Sequence, residues 1–172
     1  MTRQRGMRTG RDYVIATAGV LLVVMLLFGC PMWLHRDAWY VAFAHHFFHV
    51  NVFHLAVNCF SLWTLRNRTS LPQVVTAYLL ATASWFFSSA DVVGASNFIF
   101  ALIGLRTPSF RSVWWRQTSV LVFLVTMALM AAFPQVSAVT HIISFAFGCA
   151  GAAFSRVFSK IADDVRRASY HR

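Results

Sequence analysis

Six apolar runs, joined by short connections of which three carry arginine, leave this chain few folds to choose from. They are Tyr13–Leu34, Phe47–Leu65, Leu71–Ala90, Val92–Leu105, Gln117–Phe133 and Val136–Ser155. A helix needs roughly 20 apolar residues to cross the hydrocarbon layer of a bilayer, and five of the six runs come close enough to do so. With 58% hydrophobic and only 12% charged residues, a chain of 172 has more apolar surface than a soluble core of its size hides. The expected fold is therefore an all-α polytopic membrane protein, a bundle of six transmembrane helices. A basic N-terminus (residues 1–12) precedes one six-helix domain (13–158), and a basic tail follows it (159–172). The first run is longer than a signal-peptide core and has no small-residue cleavage site after it, so it reads as a span rather than a removed leader.

The fourth run is too short to cross on its own. It fits a helix that starts partway through the membrane, at the end of a loop that descends into the protein; such a loop is tolerated only where protein buries it or it lines a wet cavity.

The net charge of +10 does not point to nucleic acid, because the basic residues sit in clusters between the apolar runs. Cytoplasmic loops retain an excess of Lys and Arg. Arg3, Arg5, Arg8 and Arg11 precede the first run, Arg66 and Arg68 follow the second, and Arg106, Arg111 and Arg116 separate the fourth and fifth. Arg156, Lys160, Arg166, Arg167 and Arg172 follow the sixth, and Arg36 alone falls on the other side. Both termini are then expected in the cytoplasm, with the loops holding Arg36, Asp91 and Pro134 facing outward. Small size suggests the inner membrane of a bacterial cell. Pro72 and Pro134 mark helix boundaries. Cys30, Cys59 and Cys149 lie in or at the end of apolar runs without metal spacing and read as packing residues.

Three places carry polar residues that a membrane helix does not keep without reason. Gly94-Ala95-Ser96 opens the short fourth run, so Ser96 falls at a helix N-terminus whose unpaired backbone N–H groups suit a developing negative charge. His54 and Asn58 stand four apart, on one face of the second run. His141 lies near the outer end of the sixth, followed by Ser144, Gly148 and Gly151 at helical spacing. Those small residues let another helix come close, and Ala101 and Gly104 of the fourth run answer them. Close approach brings His141 to Ser96. A serine hydroxyl becomes a useful nucleophile when an imidazole within about 3 Å takes its proton. Donors aimed at the resulting oxyanion are worth about 3–4 kcal/mol each, and the Ser96 N–H, His54 and Asn58 are available. No Asp or Glu is placed to orient His141, so a Ser-His dyad is expected.

His45 and His49, also four apart, would share a face of one helical turn, and with His46 or His54 they raise the possibility of a zinc or copper site. No carboxylate or cysteine stands near them, which favours histidines that hold the outward loop against the second helix.

The spacing of His45, His49, His54 and Asn58, the Gly94-Ala95-Ser96 opening and His141 with Gly148 together resemble a rhomboid intramembrane serine protease over nearly the whole chain. The resemblance implies a six-helix core that hydrolyses a peptide bond in or near a transmembrane segment of a membrane-protein substrate. Ser96 would be the nucleophile, His141 the general base, and His54, Asn58 and the Ser96 amide the oxyanion hole, with His49, Gly94, Asn97 and Phe100 in support. No metal or organic cofactor is implied. Asn97 stands where the family usually has a glycine after the serine, Phe100 where it often has a tyrosine under the histidine, and Ser144 where it has a glycine. The outward loop from about Met32 to His46 is short, with Trp39-Tyr40 in place of the usual Trp-Arg pair. Two other readings remain: a rhomboid-like protein that binds transmembrane helices without cutting them, and a histidine-based metal-binding membrane protein.

Overall fold

A computed structural model describes residues 3–28, 38–66, 69–87, 93–107, 124 and 138–170. Its elements are α1 (Arg3–Phe28), α2 (Val41–Ala44) with a 3-10 turn (His45–Phe47), α3 (Val52–Leu65), α4 (Leu71–Trp85), α5 (Ser96–Arg106) and α6 (Ala138–Tyr170). No strand occurs among the described residues. All of the fifth apolar run but Leu124, together with Cys30, Arg36, Asp91 and Pro134, lies outside them.

The apolar runs become helices with sharper ends than their hydropathy predicts. The second begins at Val52, not Phe47, because Phe48 is extended (ψ 151°) and Asn51 caps the helix, its Oδ1 accepting from His54 N at 2.8 Å. In consequence His45 and His49 do not share a helical turn as their spacing suggests. Ser70 caps α4 in a box with Gln73, and Pro72 sits in the first turn where its missing N–H costs nothing. The fourth run is helical from Ser96 to Arg106, 11 residues, which span roughly 16 Å. The sixth continues without a break through Ser155 and the basic tail to Tyr170, 33 residues in all.

Among the described residues one helix, Ala138–Ser169, is long and apolar enough to cross a membrane by length and composition; Ile15–Phe28, Val52–Leu65 and Ser96–Arg106 are shorter apolar helices. Large apolar side chains lie exposed along α1 (Leu22, Leu26), α3 (Phe53, Phe60) and α6 (Val139, Phe154). Water would not favour such a surface, and lipid tails cover it at no cost.

At the centre is α5, buried along almost its whole length. Leu102, Ile103 and Phe98 join Leu62, Leu65, Ala77 and Ala81 in one core cluster. Against α6 the approach is backbone to backbone: a Cβ on Gly104 would run into the Phe145 carbonyl, and one on Gly148 into the Ala101 carbonyl. Gly151 faces Leu80 and Leu105. The small residues of the two runs thus meet as their spacing predicts. At the opposite end of α5 from Ser96, the buried Arg106 donates to Leu65 O at 2.9 Å and Thr69 Oγ1 at 3.1 Å. This pins the C-terminus of α3 beside the C-terminus of α5, so Ser96 and His54 sit in the first turns at the other end.

Candidate active site

The loop before α5 turns on Gly94. Its φ of 127° is a conformation that side-chain-bearing residues rarely adopt, and a Cβ there would collide with the His54 imidazole. Gly94 N donates to His45 O at 2.9 Å, and Ala95 N lies 3.5 Å from His49 Nε2. The segment from His45 to His49 thereby fixes the backbone on which Ser96 rides. The helical ladder then starts, with Ile99 N bonding Ala95 O at 3.0 Å, so Ser96 occupies the first helical position.

From there its Oγ meets His141 Nε2 at 2.6 Å, both residues buried. That is a strong hydrogen bond between a hydroxyl and an imidazole carried by different helices and 45 residues apart in sequence. Phe100, one turn below Ser96, meets the His141 ring edge to face (centroids 4.9 Å apart, planes at 76°) rather than stacking under it. On α3 the His54 ring packs on Gly94 and lies 5.2 Å from the His49 ring. Asn58, one turn deeper on the same helix, is buried with no partner for Nδ2. A buried amide N–H without an acceptor is costly.

In a comparison with known families, the Rhomboid domain matches residues 36–157. The chain belongs to the rhomboid family. No curated protein and no solved structure matches it. As a rhomboid it is a multi-pass membrane protein.

The remaining predicted site residues of this rhomboid fall in three groups. Asn97, next to Ser96, is fully buried, and neither its Oδ1 nor its Nδ2 has a partner. Ser144 does not push α5 and α6 apart: its hydroxyl turns to α4, 2.6 Å from Ser84 Oγ, and also reaches Thr140 O at 2.8 Å. The outward-loop histidines are packed as structural groups. His45 Nδ1 donates to Val41 O at 3.1 Å, the His45 and His46 rings lie 3.8 Å apart, and His46 Nε2 meets Thr82 Oγ1 at 3.3 Å. Burial pushes His45 down to about 4 and holds His46 well below the usual imidazole range, with the neighbouring His45 adding to the latter. Among the described residues no three His, Cys, Asp or Glu side chains converge as a metal ion would require.

An apolar cavity of about 360 Å³ opens between α1, the 3-10 turn, α4 and α5, and its lining reaches Ala95 without including Ser96 or His141. The sequence did not single out Asn51, whose cap orients His54, or Tyr78, whose hydroxyl donates to Phe43 O at 2.8 Å and ties α4 to the outward loop. An Asn three residues before a helical histidine was the available signal for the first; nothing marked the second.

Proposed function

We propose that this rhomboid is an intramembrane serine endopeptidase that cleaves peptide bonds in or near the transmembrane segments of other membrane proteins. The 2.6 Å contact between Ser96 Oγ and His141 Nε2 is the observation that carries this reading. His141 takes the hydroxyl proton as Oγ attacks the scissile carbonyl carbon. The carbonyl oxygen becomes an oxyanion facing the Ser96 N–H, one of the unpaired donors of the first turn of α5, together with the His54 ring and Asn58 Nδ2. When the C–N bond breaks, His141 returns the proton to the leaving amine. Water then attacks the acyl-enzyme, His141 accepts its proton and passes it back to Oγ, and the acid product leaves.

Around this dyad the reading places six spans with both termini in the cytoplasm. Ser96, His54 and His141 all sit in the first turns of helices whose far ends carry arginine, which supports an outward-facing site. Substrates are transmembrane helices presented from the bilayer, and the chemistry needs no cofactor.

The test is cleavage of a generic transmembrane substrate in detergent or proteoliposomes by the wild type, Ser96→Ala and His141→Ala. Either substitution should remove nearly all cleavage while the melting temperature stays similar, and a fluorophosphonate should label Ser96 in the wild type alone. A folded wild type that neither labels nor cleaves would instead be an inactive rhomboid that binds transmembrane helices.

A further inference from the structure

Asn97 is a buried polar side chain beside the dyad for which the mechanism has no use. It is fully buried, and both ends of its amide lack partners. Leaving such a group unpaired costs about 1–3 kcal/mol, so something in the folded protein should bond it.

Helical spacing shows where it points. Asn97, Ala101 and Gly104 fall at i, i+4 and i+7 on α5. The lower two abut α6, Ala101 at Gly148 and Gly104 at Phe145 and Gly148. On α6 the residues Ser144, Gly148 and Gly151 form the matching row. One turn above the Ala101–Gly148 contact on each helix stand Asn97 and Ser144. Asn97 therefore lies behind the serine, on the α6 side, and not among the oxyanion donors contributed by α3.

Ser144 in turn belongs to a hydroxyl pair that is short of a proton. Ser144 Oγ lies 2.8 Å from Thr140 O, Ser84 Oγ lies 2.7 Å from Ala81 O, and the two hydroxyls lie 2.6 Å apart. Three contacts need three protons, and two hydroxyls supply two. Asn97 Nδ2 carries two N–H groups with no acceptor. Asn97 thus has donors to spare on the helix row that ends at this hydroxyl pair, and no direct hydrogen bond joins the two.

We propose that Asn97 donates through one buried water to the Ser84–Ser144 pair, making a polar lock across α4, α5 and α6 that positions Ser96 against His141. An ordered internal water typically bonds two to four otherwise unpaired buried polar groups. Asn97 is a positioning residue and not a catalytic one, and its effect on the dyad rests on the protease reading above.

The experiment is a double-mutant cycle on full-length protein in detergent. Asn97→Ala and Ser144→Ala are each expected to lower the melting temperature by about 2–4 °C and to slow fluorophosphonate labelling of Ser96 about tenfold. The double variant should be no worse than the poorer single, because each change breaks the same network. Asn97→Val, which fills a similar volume without a donor, should slow labelling as Ala does. Asn97→Ser, which keeps a donor, should recover at least half of the lost rate, and cleavage by Asn97→Ala should lose kcat with KM unchanged. Strictly additive singles, or Asn97→Val labelling at the wild-type rate, would overturn the lock. A folded wild type that does not label at all removes the protease reading and the positioning role with it, and the lock itself is then judged by the melting-temperature cycle.

Discussion

Gly94 and His54 lie in direct contact, the imidazole of one filling the space where the other would carry a side chain. The contact joins the serine loop to the first turn of α3, so His54, the proposed oxyanion donor, and the backbone leading to Ser96 share one wall. It explains why a glycine two residues before Ser96 is needed for more than flexibility: the φ of 127° and the absence of a Cβ are both required.

Gly94→Ala should therefore act twice. Backbone strain of about 1–3 kcal/mol should lower thermal stability in detergent. The collision with the imidazole should displace His54 and slow fluorophosphonate labelling by more than tenfold. In a His54→Ala background the collision is gone and only the strain remains, so the same substitution should cost less there. Equal costs in both backgrounds would mean that the ring is not what Gly94 accommodates.

Asn58→Ala separates the oxyanion role from a structural one. Because Nδ2 has no partner in the resting fold, its removal takes no hydrogen bond from it. The melting temperature should hold or rise slightly, while kcat falls by roughly 10²–10³, the usual worth of one oxyanion donor. A loss of stability matching the loss of rate would count against that assignment.

Gly148→Ala tests the spacing of α5 and α6. The new Cβ meets the Ala101 carbonyl, which is helix backbone and yields only if the helices separate. Overpacking of this kind costs about 1–3 kcal/mol, and a shift of about 1 Å between Ser96 and His141 is enough to reduce the rate about 100-fold. Cleavage should fall further than the melting temperature alone accounts for, and wild-type kinetics would mean that the dyad is not set by this contact.

What the sequence made legible was set by constraints that act locally or by periodicity. Gly94-Ala95-Ser96 ahead of a short apolar run predicts a serine at the head of a short helix, because both the backbone freedom and the missing length are written in consecutive residues. The i, i+4, i+7 rows of small residues likewise predict which faces of α5 and α6 meet. Side-chain direction between three helices was not legible. Ser144 reads as one of the small residues of the α6 row that let α5 come close, yet its hydroxyl turns to Ser84 because the fully buried polar atom finds a partner there. His45 and His49 read as one helical face, and the Asn51 cap breaks that helix before it reaches them. The extent of α6 was hidden for a different reason: hydropathy marks where lipid ends, whereas the helix carries on through residues that favour helix in water as well.

Acidification should loosen the 3-10 turn at His45–Phe47. The ordinary imidazole value of 6.5 is pushed by burial down to about 4 at His45, and His46 is lowered for the same reason. Between those values the unfolded chain binds a proton that folded His45 refuses, so stability is flat above about pH 6.5 and falls as the pH drops towards 4. For His45 the full loss is about 3 kcal/mol, since each tenfold weakening of proton affinity on folding is worth about 1.4 kcal/mol. The His45 carbonyl is the acceptor for Gly94 N, which makes the serine loop the first part to feel it. Melting temperature and Ser96 labelling should both decline across that window in the wild type. His45→Phe keeps the carbonyl and removes one of the two titrating rings, and it should make the pH dependence of the melting temperature shallower, with His46 supplying the remainder. An unchanged slope in that variant would assign the acid sensitivity to a different group.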